Sequence, residues 1–391
     1  MVQSNSFRLQ ADCVVVGASF AGLACATVLA RAGLRVTVLE RKADPGEKLH
    51  TTGIIVKDAI DQIALLDGLP AELVHRIDGV RLYAPNLRYV DLAAPGYYFL
   101  ATDTPEVMRW LAAQAERAGA SIVYQKSFGE AKRTQSGFDF GDLGTARFLV
   151  GADGPNSQVA KTFALGQSTN FLFGLEYEYE NAQIAEPEKL HCFIDRRLAP
   201  GYIAWVVAGV GVVQVGLARR VRGDQSTATT AMAAFLEKIA PLFDFRKLRP
   251  ASVRAGMIPC GGVVSPVAAQ RLLLVGDAAG LVSPVTAGGI HTALKHGLAA
   301  GHAIADYLNG KNEDPSGWFV RSYPRFKTKR ALRFLFDHFQ SDTLFNLLLS
   351  TKPMRMAAGV VYFHHKGVFD PTAHPALSRT DEQVAKNATL R

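Results

Sequence analysis

The sequence predicts an α/β fold with an open parallel sheet, a second and mainly antiparallel sheet, and a C-terminal helical segment. Three observations predict it. Residues 11–41 read as strand, tight turn, helix and strand. Residues 171–253 change to strand-like alternation with one helix at about 227–240. Residues 271–308 return to a buried strand followed by a long helix.

The unit at residues 11–41 has the order of elements that binds a dinucleotide. Residues 13–16 are an apolar run typical of a buried parallel strand. The run breaks at Gly17, and a helix-period stretch and a second strand that ends on Glu40 follow. In such units the helix N-terminus binds pyrophosphate, and an acidic residue about 20 positions later binds ribose hydroxyls. Glu40 follows Gly22 by 18 residues, which fits this spacing.

The turn itself departs from the glycine pattern G-x-G-x-x-G. It reads Gly17-Ala18-Ser19-Phe20-Ala21-Gly22, with serine at the middle glycine. That position needs a small residue so that the backbone can approach a phosphate, and serine fits less freely than glycine. A glycine motif alone is weak evidence, but the strands, helix and Glu40 occur in register with it. The predicted cofactor-binding residues here are Gly17, Ser19, Ala21, Gly22, Glu40 and Arg41.

Composition limits the function classes. With 391 residues, 48% of them hydrophobic, the chain can bury a large core and form two domains with a terminal cap. The net charge of +8 permits nucleic acid, anionic lipid or an acidic substrate as partner, but no nucleic-acid-binding motif is visible. No apolar run approaches the ~20 residues needed to span a bilayer, and the N-terminus lacks the apolar core of a signal peptide. We therefore expect a cytoplasmic protein with no nucleic-acid partner.

Four scattered cysteines lack the spacing of a metal site. We expect no metal, and free buried thiols at Cys13, Cys25, Cys192 and Cys260.

Several elements precede the next motif. Residues 47–54 form a polar loop that contains Thr52 and Gly53 and ends at a predicted helix reaching about Leu66, a good place to meet a cofactor ring. Residues 79–92 alternate as a hairpin. A proline-containing first turn opens a helix at about 103–106. A third strand of the parallel sheet at 121–124 and a β-meander at 129–148 follow.

A second motif, FLVGADGPNSQVAK, occupies residues 148–161. A buried strand runs into a sharp turn at Asp153-Gly154, and a helix follows. Asp153 is either an ordinary turn and cap residue or part of a cofactor-side loop. The combination of strand, Asp-Gly turn and Ser157 favours the cofactor-side loop, and we predict Asp153 and Gly154 there.

The third motif is RLLLVGDAAGLVSPVTAGGI, at residues 271–290. A buried strand at 272–275 ends on Gly276-Asp277, and small residues open a long helix. An aspartate at such a strand end can accept hydrogen bonds from sugar-chain hydroxyls. A helix N-terminus of small residues can place N–H donors against an anion, such as the one on the pyrimidine ring of a reduced flavin. The predicted residues are Gly276, Asp277, Gly288, Gly289 and Ile290.

These three motifs, in this order, resemble the FAD-dependent geranylgeranyl reductase family, within the wider fold of p-hydroxybenzoate hydroxylase. The resemblance covers most of residues 11–308. It implies a FAD-binding Rossmann-like domain of the glutathione-reductase and p-hydroxybenzoate-hydroxylase type. Aromatic hydroxylases usually carry histidine where this chain has Gly280. The stretch 200–205 is similar to the family's substrate motif, which implies substrate contacts at Tyr202 and Trp205, although Val206-Val207 replaces its usual Phe-Pro ending.

Two positions depart from the family. His50 stands where the family often has a cysteine beside the flavin, and Thr104 aligns with its flavin-contacting arginine. His50 is the predicted proton donor and His291 the second candidate. Each has a plainer alternative, His50 as a hydrogen-bond donor within its loop and His291 as a solvent-facing helix residue.

The resemblance implies an enzyme whose reduced flavin transfers hydride to a carbon–carbon double bond of a lipophilic, isoprenoid-type substrate. Two alternatives stay open. One is a flavin monooxygenase that hydroxylates an aromatic or polyketide-like substrate, and the other is a flavin-binding protein without catalysis. No second glycine-rich βαβ unit is present, so electrons are expected from transiently bound NAD(P)H or from a reduced partner protein.

The expected domains are discontinuous. The FAD-binding domain comprises 1–78, 101–165 and 255–315, and the substrate sheet comprises 79–100 and 166–254. Residues 316–391 form a C-terminal helical cap and tail. Within it, residues 319–339 are rich in both cations and aromatics. They predict either a solvated helix that packs an apolar face on the body, or peripheral contact with an anionic membrane.

Overall fold

The computed structural model describes residues 9–220 and 227–363. In chain order, the strands within these residues are β1 (Leu9–Val16), β2 (Val36–Leu39), β3 (Ile54–Val56), β4 (Val74–Ile77), β5 (Gly79–Tyr83), β6 (Tyr89–Leu92), β7 (Phe99–Thr102), β8 (Ser121–Val123), β9 (Lys132–Arg133), β10 (Phe138–Asp139), β11 (Gly144–Gly151), β12 (Phe171–Glu180), β13 (Lys189–Phe193), β14 (Ala204–Ala208), β15 (Val212–Arg220), β16 (Ser252–Pro259), β17 (Ala268–Ala269) and β18 (Leu272–Leu274).

The α-helices in the same residues are α1 (Phe20–Arg31), α2 (Lys57–Gln62), α3 (Thr104–Arg117), α4 (Gln158–Thr162), α5 (Ala228–Ile239), α6 (Ile290–Leu308), α7 (Pro315–Trp318), α8 (Lys327–Phe339), α9 (Asp342–Leu348) and α10 (Lys352–Phe363).

The first sheet is the predicted parallel sheet. Its order is β17-β18-β11-β1-β2-β8, with β10 and β9 continuing antiparallel from β11. The strand β1 lies between β2 and β11 and is parallel to both, with Cys13 opposite Val36 on one side and Phe148 on the other. The βαβ unit at residues 11–41 is therefore confirmed. Pairing with β11 extends β1 to Leu9, four residues before the apolar run begins.

The helices α1 and α6 lie directly against each other. Gly297 and Gly301 are one turn apart on α6 and face α1. A side chain at Gly297 would overlap the Ala21 carbonyl, and one at Gly301 would begin 2.8 Å from Val28 Cβ. This close packing sets the first turn of α1 against α6 about two turns after the start of α6, and the two helices run in the same direction.

The second sheet has seven strands in the order β16-β12-β15-β14-β13-β5-β6. It is antiparallel except where β13 runs parallel to β5. The hairpin predicted at 79–92 is β5 and β6, and the helix predicted at 227–240 is α5, whose Met232 and Phe235 are fully buried against one face of this sheet. Both predictions are confirmed.

A three-stranded sheet, β3-β7-β4, is built from residues between β2 and β8 and corrects one prediction. The helix expected from Thr52-Gly53 to about Leu66 begins only at Lys57. Before it, Ile54–Val56 form β3 and pair with β7. Three consecutive β-branched residues favour a strand once a partner strand is available.

The strand β16 runs across the domain boundary expected between 254 and 255, and β7 runs across the one expected between 100 and 101. The domain division stays a prediction. In the C-terminal part, α8, α9 and α10 form the expected helical segment. All four cysteines are buried and unpaired. In the ranges 9–220 and 227–363, no helix is both long and apolar enough to cross a bilayer.

Candidate active site

The three motifs meet at the carboxyl edge of the parallel sheet. Ala152 N donates to Val16 O at 2.8 Å, and Val275 N donates to Gly151 O at 2.9 Å, so β1, β11 and β18 end side by side. A Cβ on Gly17, whose φ is +103°, would lie 2.5 Å from Ala152 O. The convergence of the turns at Gly17, Asp153 and Asp277, which the sequence predicts, is confirmed.

Ser19 explains why the glycine pattern tolerates a serine. It is the N-cap of α1, where its Oγ accepts from Gly22 N at 3.2 Å and donates to Ala152 O at 3.0 Å. The side chain therefore ties the helix start to the neighbouring Asp-Gly loop. Other N–H groups in the first turn, including that of Ala21, have no intrahelical acceptor. This edge fits a pyrophosphate.

Glu40 is buried at the end of β2 and braces the same turn. Its carboxylate accepts from Ala18 N at 2.8 Å and from Lys42 N at 2.9 Å. A carboxylate has about four acceptor positions, so two remain for ribose hydroxyls. Arg41, the next residue, is exposed. The geometry fits the ribose role predicted for Glu40.

Asp153 caps the short helix α4. Its carboxylate accepts from Ser157 Oγ at 2.6 Å and from Gln158 N at 2.6 Å. The plainer alternative for this side chain, a turn and cap residue, is therefore present in the structure. A cofactor-side role for Asp153 and Gly154 stays a prediction, and the loop backbone is the part that can perform it.

The long helix α6 begins at Ile290 with an open N-terminus. Its N-cap is Gly289, with Gly288 before it, and no side chain caps the helix. Asp277 Oδ1 lies 3.5 Å from the place of a Cβ on Gly289, and burial raises the pKa of Asp277 to about 6. An uncapped helix start beside a carboxyl fits the anionic pyrimidine ring and sugar-chain hydroxyls of FAD.

The two predicted catalytic histidines lie in different environments. His291 is half-buried in the first turn of α6. His50 is exposed in the loop before β3, and its Nδ1 is hydrogen-bonded to Ala255 O on β16. Desolvation lowers the pKa of His50, so its neutral form predominates at pH 7. The plainer alternative for His50, a loop residue that donates a hydrogen bond, is therefore seen, with the acceptor on β16 and not within the loop. A catalytic role stays a prediction for both histidines.

Thr104 shows how the chain fills the position of the family's arginine. It is fully buried at the start of α3 and lies 3.0 Å from Thr102 Oγ1. Thr102 Oγ1 in turn donates to Gly53 O at 2.8 Å. The two threonines thus support the loop that carries Thr52 and Gly53.

That loop rests on a polar row of the second sheet. Cross-strand register places Trp205, Gly216, Glu176 and Arg254 side by side on β14, β15, β12 and β16. Trp205 Nε1 donates to Glu176 Oε2 at 3.0 Å, and Thr52 Oγ1 donates to the same oxygen at 2.6 Å. Glu176 therefore joins the predicted cofactor loop to the predicted substrate motif.

Sequence reasoning named Trp205 but missed the buried polar residues beside it. Glu176 and Glu178 are buried, although charged residues are rarely enclosed without partners. Gln214, opposite Glu178, is 1% exposed and donates to Thr52 O at 3.2 Å. One signal was available: β12 reads LEYEYE, so its glutamates share one face and its tyrosines the other.

Tyr202 connects the second sheet to the start of α6. Its hydroxyl donates to the Thr286 carbonyl, and its ring packs, as do Trp205 and Ala287, against the buried cluster of Leu172, Ala218 and Cys260. Burial raises the pKa of Tyr202, so the hydroxyl keeps its proton and remains a donor. Both predicted substrate residues therefore lie beside the loop that precedes the α6 N-terminus.

Comparisons with known proteins agree with this geometry. The family model described as "FAD binding domain" matches residues 10–317. The digeranylgeranylglycerophospholipid reductase 2 of Methanopyrus kandleri is 29% identical, with 81% of each chain covered. The protein of the same name from Methanosphaera stadtmanae is 26% identical over 77% of this chain and 79% of its own.

Solved structures share the fold. A geranylgeranyl bacteriochlorophyll reductase-like protein from Thermoplasma acidophilum aligns with a TM-score of 0.77 at 19% identity, covering 91% of this chain and 97% of that one. A myxobacterial chondrochloren halogenase, described as a variant of FAD-dependent halogenases, aligns with a TM-score of 0.64 at 18% identity, covering 78% and 76%. The predicted fold class, the cofactor FAD and the resemblance to geranylgeranyl reductases are confirmed. The chain belongs to the FAD binding domain family and is a FAD-dependent oxidoreductase.

Proposed function

We propose that this enzyme reduces carbon–carbon double bonds in the isoprenoid chains of a lipophilic substrate. The names of the reductases that it resembles support this substrate class. The observation that carries the proposal is the contact of Tyr202 with Thr286. It sets an apolar wall, with Trp205 and Ala287, directly beside the open N-terminus of α6.

Bound FAD supplies the hydride, and the chain supplies binding, orientation and exclusion of water. The turn from Gly17 to Gly22 holds the pyrophosphate, and Glu40 holds the adenosine ribose. The carboxyl of Asp277 would accept from the sugar-chain hydroxyls, and the N–H groups at the start of α6 would bind the pyrimidine ring. The wall of Tyr202 and Trp205 orients the substrate chain and keeps water from the reacting carbons.

Anaerobic turnover tests the proposal. Enzyme loaded with FAD is reduced with dithionite under argon and mixed with a geranylgeranyl ether glycerophospholipid. Mass spectrometry is expected to show the gain of two hydrogens for each double bond reduced. A phytanyl ether lipid, which has no double bonds, is the control and is expected not to reoxidise the enzyme.

Repeating the reaction in air separates the proposal from the monooxygenase alternative. A reductase gives the hydrogenated lipid under argon, whereas a hydroxylase requires oxygen and adds an oxygen atom. Product that forms only in air, with its mass increased by oxygen, would contradict the proposal.

The electron donor is a separate part of the proposal. NAD(P)H binding briefly at the flavin face, or a reduced partner protein, would deliver the electrons. Bleaching of the flavin absorbance by NADPH or NADH alone would identify a nicotinamide donor. Bleaching by dithionite but by neither nucleotide would favour a partner protein.

We also propose that the C-terminal helices dock on an anionic membrane. The helix α8 is inverted relative to an ordinary surface helix. Its buried side carries Arg333 and Asp337, while Leu332, Leu335 and Phe339 are 46%, 51% and 68% exposed. The apolar stripe continues on α9 and α10, where the exposed side chains include Leu344, Leu347, Leu348, Met356 and Val360.

Exposed cations border this stripe. Arg321, Arg325, Lys327 and Arg330 lie at or before the start of α8, and Lys352 lies at the start of α10. Apolar side chains beside cations match the interface of a bilayer that contains anionic lipid. A lipid substrate would then enter from the membrane without crossing water.

Vesicle flotation tests the docking. The protein is expected to float with vesicles of phosphatidylglycerol and phosphatidylcholine, and less with phosphatidylcholine alone. The double variant Leu335→Ser with Phe339→Ser is expected to stay at the bottom of the gradient, while Leu248→Ser, which removes an exposed leucine elsewhere, floats like the wild type. The proposal would be contradicted if the wild type never floats. If the wild type is also a dimer and the double variant is a monomer, this surface instead binds a second copy of the chain.

A further inference from the structure

We infer that Glu176 stores the proton that completes double-bond reduction and passes it to the substrate through the hydroxyl of Thr52. The inference rests on the proposed function. The saturated carbons need two electrons and two hydrogens: a hydride from bound FAD and one proton from the protein. Glu176 returns to its acid form by taking a proton from water between turnovers.

The carboxyl group of Glu176 is enclosed and only partly hydrogen-bonded. Glu176 is 4% exposed, and among the described residues its Oε1 has no hydrogen-bond partner. The same holds for Oε1 of Gln214, which is 1% exposed on the neighbouring strand β15. A buried oxygen without a donor favours the protonated acid over the carboxylate.

The surrounding charges only partly oppose this. Arg254 Nη1 lies 4.0 Å from Glu176 Oε1, but Arg254 Nη2 makes a shorter ion pair, 2.6 Å, with Glu178. Glu178 is a like charge on the same strand face, and His50 is predominantly neutral in the loop above. Burial is the largest effect, and the pKa of Glu176 is raised.

Thr52 is the residue through which the proton leaves Glu176. Its hydroxyl donates to Glu176 Oε2 at 2.6 Å when the carboxyl is ionised. When Glu176 is protonated, the same contact reverses: the acid donates and the hydroxyl is free to donate onward. Thr52 is partly exposed and belongs to the loop predicted to meet the flavin ring, whereas Glu176 itself is enclosed. Glu176 thus acts through Thr52.

Trp205 connects Glu176 and Thr52 to the apolar wall proposed to orient the substrate. Its Nε1 donates to the same Oε2 at 3.0 Å, so the acid, the hydroxyl and the indole converge on one atom. Substrate packed against Trp205 would therefore lie beside the proton path.

Two measurements on the FAD-loaded enzyme test the inference. Infrared spectroscopy over a pH series is expected to show the carbonyl band of a protonated carboxyl that persists above the ordinary pKa of glutamic acid, shifts in D₂O and is missing in Glu176→Gln. In single-turnover reoxidation by the geranylgeranyl lipid under argon, Glu176→Gln and Thr52→Val are expected to slow the reaction about 100-fold, as for loss of a general acid. Thr52→Ser keeps the hydroxyl and is expected to restore most of the rate.

Controls separate proton delivery from damage to the fold. Reoxidation by ferricyanide adds no proton to carbon, and all variants are expected to match the wild type within about threefold, far below the loss for a missing general acid. Glu178→Gln removes a neighbouring like charge that raises the pKa of Glu176, so with the lipid it is expected to keep a pH-dependent rate whose profile is moved to lower pH. The profile falls with rising pH in the wild type, since the acid form is needed, and is flat in Glu176→Gln.

Three outcomes would overturn the inference: no band assigned to Glu176, an unchanged pH profile in Glu176→Gln, or loss of the profile in His50→Ala instead. A wild type that leaves the lipid unreduced would contradict the proposed function, while the infrared band still decides whether Glu176 holds a proton.

Discussion

The indole of Trp205 lies across Gly216, its register partner on the neighbouring strand. A Cβ at Gly216 would overlap the indole ring. Because Gly216 has no side chain, the indole nitrogen reaches past it to Glu176, one strand further. Trp205 can therefore hydrogen-bond to the buried Glu176 only because the residue between them, Gly216, has no side chain.

Gly216→Ala is expected to displace Trp205 and destabilise the protein by about 1 to 3 kcal/mol, the usual cost of overpacking. Urea unfolding and tryptophan fluorescence would measure both effects. Gly129→Ala is the matched control, because a Cβ at Gly129 meets no atom within 4 Å. Equal stability of the two variants would show that the indole has room to move.

Ser19→Ala removes a helix cap and the contact with Ala152. We expect a loss of about 1 kcal/mol in the free energy of unfolding, and a FAD dissociation constant raised about fivefold. Ser19→Gly restores the common glycine and is expected to lose only a few tenths of a kcal/mol. Thermal melting and flavin fluorescence titration are the measurements, and a Ser19→Ala protein that binds FAD like the wild type would refute the role of the hydroxyl.

Asp277 makes the apoprotein sensitive to pH. Its pKa is about 6 in the folded chain against an ordinary 3.8, so between these values the folded state binds the proton that the unfolded state has lost. Stability from this group is thus present below about pH 4 and declines as pH rises towards 6. Asp277→Asn cannot titrate, and its stability relative to the wild type is expected to increase by at most about 3 kcal/mol between pH 4 and 7. Urea unfolding of both proteins at the two pH values measures this, and a difference that does not change with pH would contradict it.

Asp337 joins the C-terminal helices to the second sheet. Its carboxylate pairs with Arg333 on α8 and with Arg220 on β15, and both guanidinium groups hold its pKa low. Asp337→Ala leaves the nearly buried Arg333 without its ion partner, and we expect a loss of about 3 to 5 kcal/mol in the free energy of unfolding.

The control for that variant is Asp244→Asn, which breaks an exposed pair with Arg246 and is expected to leave the melting temperature unchanged. Comparable melting temperatures for Asp337→Ala and the wild type would mean that water reaches Arg333.

Local sequence was enough to predict much of the cofactor edge. The apolar run before Gly17, the small residues of the turn from Gly17 to Gly22 and the acid at Glu40 act within a few residues or one βαβ unit. The roles of these residues can therefore be predicted from their neighbours in the sequence. The same reasoning placed the hairpin at 79–92 and the long helix after Gly289, because period and turn residues are local properties.

Local sequence did not predict the structure where a segment distant in the chain determines it. Ile54–Val56 became a strand because Phe99–Thr102 lies beside it, and the helix predicted there starts later. The orientation of α8 was open as well, since either face of an amphipathic helix can turn inward. The ion pair with Arg220 selects the polar face.

The sequence by itself determined that this chain binds a dinucleotide on a parallel sheet, because turn, cap and strand signals are carried by neighbouring residues. Only the tertiary structure revealed Glu176 and Arg254 in one polar row beneath Thr52, with Gln214 opposite Glu178 on the same strands. Their proximity depends on the register of three strands that are far apart in the chain. Side-chain register across a sheet is set by packing of whole strands, and one residue of slip would turn each of these groups to the opposite face.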